Sequence, residues 1–180
     1  DLTSKQVNTV EKKYGSRIQL TMLHHFLLEN QDPLPLTALY ERLSKSFELF
    51  EISNALLVLY NKVVKYEKNS NFELPEKAKL AMTFSLDKGI QIPNEEFSPK
   101  ESFLPESYNN NLVPIQTIIP LFAKDEVYGY MLLSFGKYET IFYQTIYEIL
   151  CKEVISSIKL DIAEEKVISI SEEKMNLELY

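Results

Sequence analysis

The chain is short of several residues on which common functional sites depend. It has only 4 glycines in 180 residues, which leaves little material for a glycine-rich phosphate loop. Its single cysteine, Cys151, excludes an intramolecular disulfide and a multi-cysteine metal site. Apolar runs such as Ala55 to Tyr60 fall far short of the roughly 18 residues that a transmembrane helix needs. We therefore expect no membrane-spanning segment.

Positive charge is also scarce, since Arg17 and Arg42 are the only arginines and the net charge is −7. Surfaces that bind nucleic acid or an anionic membrane need an excess of lysine and arginine. We therefore expect this piece to contact neither. The negative charge is concentrated in residues 111–180. The 45% hydrophobic content is that of a folded domain rather than a disordered one.

Helical periodicity appears at both ends of the chain. Apolar residues at spacings of three and four predict helices over residues 5–30 and 35–47, with Pro35 near the first turn of the second. A longer helix is predicted over residues 138–162, and the acidic stretch after Ala163 reads as helical again.

The middle of the chain has the pattern of β-strands. Residues 53–61 are apolar on both parities, which predicts a central strand covered on both faces, and residues 63–66 either extend it or begin a hairpin return. Further strands are predicted over residues 77–86, 113–122 and 127–135, the last two forming a hairpin with a bulge or close approach at Gly129.

No element is predicted over residues 89–112, a proline-containing loop long enough to act as a lid or binding loop. The order of elements predicts an α+β fold, with an antiparallel sheet and helices packed on one of its faces. This loop would then cover the other face.

The sequence contains no recognisable catalytic or metal-binding motif. His24 and His25 are adjacent on a predicted helix, so their side chains point about 100° apart and do not form a ligand pair. Acidic pairs such as Glu95-Glu96 lie in turns or on solvated faces. Cys151 lies in an apolar helical pattern, which is typical of a buried small side chain. We expect no enzyme activity, no metal and no cofactor.

A small-molecule site is the one function that the strand residues favour. Aromatic side chains with a few hydroxyls beneath a loop are typical of a ligand pocket, although the same residues also suit an ordinary core. The candidate ligand-binding residues are Tyr60, Met82, Phe84, Tyr128, Tyr130 and Ser134.

One hairpin resembles a known family. Ile119-Pro120-Leu121-Phe122, a short turn and Tyr128-Gly129-Tyr130-Met131-Leu132, followed by a long helix, resemble the last two strands and closing helix of GAF domains. Residues 35–61 are similar to the family's entry into its first strand, and Phe103-Leu104-Pro105 resembles a variant found in bacterial regulators. The family's cyclic-nucleotide motif and a chromophore-type cysteine are missing.

The resemblance implies a GAF/PAS-like sensory domain of a cytoplasmic bacterial signalling protein or transcription regulator. Residues 18–162 would form the domain, residues 1–17 a leading linker helix, and residues 163–180 an acidic helical linker to an output domain in the same chain. Because the sequence begins at Asp1 and helical patterns run to both ends, we expect a piece of a longer protein.

The resemblance also implies a homodimer formed through the terminal helices. The candidate interface residues are Val7, Val10, Tyr14, Ile155, Ile158 and Ile162. Two alternatives stay open at this point. One is a ligand-free protein–protein adaptor with a PAS-like or roadblock-like sheet. The other is a small enzyme on the same scaffold, such as a methionine-sulfoxide reductase, for which one helical cysteine is a poor fit.

Overall fold

The computed structural model describes residues 32–66, 72–109, 117–135 and 143–178. In these ranges three helices and six strands follow one another along the chain. In order they are α1 (Leu36–Leu49), β1 (Ile52–Lys65), β2 (Ala78–Ser85), β3 (Gly89–Gln91), β4 (Glu95–Phe97), α2 (Glu106–Asn109), β5 (Thr117–Ala123), β6 (Glu126–Phe135) and α3 (Tyr143–Glu178).

The six strands form one antiparallel sheet in the order β3-β2-β1-β6-β5, and β4 also pairs with β2. The α+β prediction is therefore confirmed. β5 pairs only with β6 in this sheet, and Pro120 lies within β5. Proline has no N–H to donate, so an edge strand tolerates it where a central strand would not.

Most predicted elements agree with the structure to within a few residues. Residues 63–65 extend β1 rather than beginning a return strand. The expectation of no element over residues 89–112 is wrong, because β3, β4 and the single turn α2 lie there. Each is only three or four residues long, which is too short for a hydrophobic pattern to reveal. The predicted helix over residues 5–30 lies outside the described residues.

Apolar residues of β1 divide between two hydrophobic clusters. Ala55, Leu57 and Leu59 belong to a first cluster, which also contains buried residues of α1 and α3. Val58 belongs to a second cluster, together with Leu104 from the connection between β4 and α2. Since successive strand residues point to opposite faces of a sheet, the two clusters lie on opposite faces. β1 is therefore buried on both sides, as its sequence predicts.

An extra residue in β2 changes which of its side chains face each cluster. Leu57 and Val58 of β1 pair with Met82 and Leu80, so Ala81 between them has no partner on β1. Such a bulge shifts the alternation of side chains by one residue. As a result Leu80 lies in the second cluster, while Met82 lies in the first.

A second irregularity occurs at Gly129 in β6. The pairing between β5 and β6 shifts there, and Gly129 has a φ of +148°. A Cβ atom at this position would lie 2.0 Å from the carbonyl oxygen of Val58 on β1. The predicted bulge and close approach are thus both present. Their effect is to direct Tyr128 into the first cluster and Tyr130 into the second.

Helix α1 begins without a capping side chain of its own, because Pro35 occupies the N-cap position. Asp161 of α3 takes this role from a distance, since its Oδ1 accepts a hydrogen bond of 3.3 Å from the backbone N–H of Leu36. A carboxylate at this end also interacts favourably with the helix dipole. The contact therefore joins the start of α1 to the late part of α3.

Replacing Asp161 with alanine should lower the free energy of unfolding by about 1 kcal/mol, because it removes this capping hydrogen bond and its charge. Urea denaturation followed by circular dichroism measures the difference. Glu164→Ala, on an exposed part of the same helix, is the matched control and should change stability by less than about 0.5 kcal/mol. Equal stability of Asp161→Ala and this control would contradict the capping role.

Helix α3 is 36 residues long and divides into a buried and an exposed part. Its last attachments to the sheet include Lys159, whose Nζ lies 3.8 Å from Glu126 Oε2 and 5.6 Å from the centre of the Tyr128 ring. From Ala163 onward every described side chain is exposed. None of the described helices is both long enough and apolar enough to cross a membrane.

Candidate functional site

A groove of about 170 Å³ lies on the second-cluster face of the sheet. Three strands supply its floor and one wall: Tyr60 from β1, Ile118 and Pro120 from β5, and Gly129 with Tyr130 from β6. Because Ile118 and Pro120 have the parity opposite to the buried residues of β5, they point to this face. Gly129 contributes only backbone atoms to this lining.

Two connecting segments complete the groove. Phe72 and Leu74 precede β2, and Pro99 and Phe103 lie between β4 and α2. The last two residues come from the 89–112 segment, which was predicted to cover this face. The groove is open to solvent on one side, since Phe103 is 65% exposed and Ile118 is 52% exposed.

Tyr130 fixes the connecting segment onto the sheet. Its hydroxyl donates a hydrogen bond of 2.5 Å to the carbonyl oxygen of Phe103. The two rings meet edge to face, with centroids 6.2 Å apart and planes at 80°. The neighbouring Leu104 is 2% exposed and is buried in the second cluster. Phe103 is therefore held at the rim of the groove by three contacts: the hydrogen bond to its carbonyl oxygen, the packing of its ring on Tyr130, and the burial of the adjacent Leu104.

The two tyrosine hydroxyls in the groove are neutral groups. Burial raises the pKa of Tyr60 above its usual value of 10.0. Burial, followed by the proximity of Tyr60, raises the pKa of Tyr130 further. The two rings meet at 72° with centroids 6.1 Å apart. The described part of the groove thus offers aromatic surface and hydroxyl groups, but no ionised side chain.

Of the six candidate ligand-binding residues, Tyr60 and Tyr130 line this groove. Met82, Phe84 and Tyr128 are buried in the first cluster, on the opposite face of the sheet. Strict alternation along each strand would place Met82 beside Leu80 and Tyr128 beside Tyr130. The bulges in β2 and β6 separate them, which a pattern of alternating residues does not reveal.

The sixth candidate, Ser134, is 3% exposed and lies near the far end of β6 from Gly129. Its carbonyl oxygen accepts a hydrogen bond of 3.1 Å from the hydroxyl of Ser53. The groove residues that sequence reasoning missed are Phe72, Leu74, Pro99, Phe103, Ile118, Pro120 and Gly129. For Ile118 and Pro120 a signal existed, since their parity on an edge strand could have been read from the sequence.

The candidate dimer residues on α3 differ in their surroundings. Ile155 and Ile158 are each 8% exposed and belong to the first cluster of their own chain, and Ile162 is half-buried against it. The remaining candidates, Val7, Val10 and Tyr14, lie outside the described residues. The large exposed apolar residues of α3 come later and are Val167, Ile168, Ile170 and Met175.

A buried polar cluster lies between α1 and α3, away from the groove. Arg42 Nη2 and Glu153 Oε1 are 3.7 Å apart, which is close enough for an ion pair but too long for a hydrogen bond. Among the described residues, Arg42 Nε, both carboxylate oxygens of Glu153 and the hydroxyl of Ser157 have no hydrogen-bond partner. Burial raises the pKa of Glu153 to about 7, and the opposing effect of Arg42 is smaller.

Cys151 is placed for packing rather than for reactivity. Its Sγ lies 3.9 Å from the carbonyl oxygen of Pro120, and burial raises the pKa of its thiol to about 11. A thiol that stays protonated at neutral pH is a poor nucleophile. In the ranges that the structure describes, no three potential ligands among histidine, cysteine, aspartate and glutamate come together as a metal site.

Comparison of the chain with protein-family models, with curated proteins and with solved structures gave no match. The groove and the course of α3 are the structural features that bear on function.

Proposed function

We propose that this chain is a sensory domain of the GAF/PAS-like type that binds a small molecule in the groove. In the longer bacterial, cytoplasmic protein from which it derives, residues 18–162 form the domain and α3 leads to an output domain. The domain is not an enzyme and holds no permanent cofactor.

The groove carries this proposal. It combines aromatic and aliphatic walls with two neutral hydroxyls, which is the usual composition of a small-molecule site. Gly129 is in the hairpin that resembles GAF domains. A side chain at Gly129 would collide with the backbone of β1, so the close packing of β1 and β6 beside the groove requires glycine at this position.

The course of α3 supports a signalling role. Apolar residues of α3 between Ile146 and Ile162 contribute to the first cluster beneath the sheet. Residues 163–178 continue the same helix, and those of their side chains that the structure describes are exposed. At 100° per residue, the exposed Val167, Ile168, Ile170 and Met175 fall within an arc of about 160°. An apolar strip on one side of a helix suits pairing with a second copy, and the dimer interface is proposed to lie here.

A ligand-free adaptor is the second candidate function. Ile118 and Phe122 are 52% and 59% exposed on the open face of β5, next to the groove. Neighbouring exposed apolar residues are also typical of protein–protein contacts. An adaptor would use this face for a protein partner rather than for a small molecule.

Native mass spectrometry of the full 180-residue chain tests the proposal. We expect a dimer that retains a small molecule. Ile118→Lys, which places a cation at the groove wall, should lower the retained fraction at least threefold, and Val167→Asp should give a monomer. The matched controls are Leu86→Lys, which is exposed and outside the groove lining, for retention and Ser169→Asp, on the opposite side of α3, for the oligomeric state.

An empty chain that stays empty when metabolite extract is added would count against sensing and favour the adaptor. A dimer that resists Val167→Asp would place the interface elsewhere. Loss of the small molecule in both lysine variants would show that its retention does not depend on the groove.

A further inference from the structure

The lining of the groove restricts the charge of what can bind there. None of the described residues that line it carries a side chain that is ionised at neutral pH, and the pKa of both tyrosines is raised. A carboxylate or phosphate that entered would lose part of its hydration without gaining a counter-charge, which is unfavourable. An ammonium ion would likewise find no carboxylate among the described lining residues.

The polar groups of the groove restrict the ligand further. The hydroxyl of Tyr130 is already used by the carbonyl oxygen of Phe103. The hydroxyl of Tyr60 has no hydrogen-bond partner among the described residues, and burial is the cause of its raised pKa. One hydroxyl can bind one polar substituent, because it both donates and accepts.

The size and geometry of the groove indicate an aromatic ligand. A dry apolar cavity of about 150 Å³ can hold benzene, and this groove of about 170 Å³ is slightly larger. Tyr130 meets both Tyr60 and Phe103 edge to face, with centroids 6.1 and 6.2 Å away. Aromatic rings prefer such edge-to-face and offset arrangements, and a further ring between these walls continues the pattern.

We propose that the groove binds a small neutral molecule built on one aromatic ring, with a single polar substituent facing the hydroxyl of Tyr60. This inference rests on the proposed function and names the class of ligand for the same site. The open side of the groove, beside the exposed Phe103 and Ile118, leaves room for further neutral groups on the ring.

Three probes of similar size test the inference in the full chain: phenol, toluene and benzoate, titrated by ligand-observed nuclear magnetic resonance. Phenol and toluene should bind, and benzoate should bind at least tenfold more weakly than phenol because its charge has no partner. Tyr60→Phe should weaken phenol about fivefold, the loss of one hydrogen bond, and should change toluene by less than twofold.

A charge placed at the groove wall provides the matched comparison. Ile118→Lys should narrow or reverse the preference for phenol over benzoate, whereas Leu86→Lys, at an exposed position outside the groove lining, should not change it. Both positions are more than half exposed, so neither variant disturbs the core.

Two results would overturn the inference in different ways. If benzoate binds as tightly as phenol and responds to Ile118→Lys, the groove binds ligands but prefers another class, and the sensory function survives. The groove is not a ligand site if no probe binds, or if the affinities of the probes are unchanged by both Tyr60→Phe and Ile118→Lys. The proposed function then fails as well.

Discussion

Replacing Gly129 with alanine is expected to prevent the sheet from reaching its native register. The new Cβ would lie 2.0 Å from the carbonyl oxygen of Val58 and 3.0 Å from Cα of Leu59, both of them backbone atoms. Gly129 also has a φ of +148°, which side-chain-bearing residues rarely adopt. Relief would require β1 and β6 to separate at the centre of the sheet. We expect a loss of about 3 kcal/mol or more in the free energy of unfolding.

Gly89→Ala is the matched control for this prediction. Gly89 also has a positive φ, +65°, but a Cβ there would have no atom within 4 Å. Only the backbone conformation is unfavourable, so its cost should be about 1 kcal/mol. Chemical denaturation of both variants measures the two costs. Similar losses would mean that the approach to β1 is unimportant, and that conformational strain alone explains the need for glycine.

Stability should fall as the pH rises from 5 to 8, because of Glu153. Burial raises the pKa of this carboxyl from 4.5 to about 7 in the folded chain. Between these values the folded state binds a proton that the unfolded state has released. The stabilisation is therefore complete below pH 4.5 and is lost as the pH rises through about 7. We expect a loss of about 1–3 kcal/mol between pH 5 and pH 8.

Glu153→Gln should flatten this dependence, because glutamine does not titrate. Thermal unfolding at several pH values measures the slope for each variant. Glu164→Gln, on the exposed part of the same helix, should keep the slope of the unmodified chain. If the unmodified chain and Glu153→Gln lose stability equally between pH 5 and pH 8, Glu153 is not the titrating group.

Much of the fold follows from residue patterns. The apolar residues of β1 on both parities indicate its central position, and Pro120 marks β5 as an edge strand. The short strands β3 and β4 were not predicted. Each has only three residues, which are held by backbone pairing with β2, and so short a strand shows no side-chain periodicity.

The candidate site was predicted less well, and the bulges are the reason. Of the candidates, Tyr60 and Tyr130 line the groove, but Met82 and Tyr128 follow irregular strand positions and point to the other face. Phe72 and Phe103 come from connecting segments whose paths depend on long-range contacts, such as the hydrogen bond from Tyr130. The residues that neighbour Phe72 and Phe103 in the sequence do not indicate those long-range contacts.

The exposed end of α3 works as a lever arm. At 1.5 Å per residue, residues 163–178 extend about 24 Å beyond the part of the helix that lies against the sheet. A tilt of about 10° at the sheet would move the far end by about 4 Å, so a small adjustment at Asp161 or Lys159 becomes a large displacement. Each residue inserted into this arm would also rotate everything after it by about 100°. Whatever follows the helix is thus set in both position and direction by how α3 lies on the sheet.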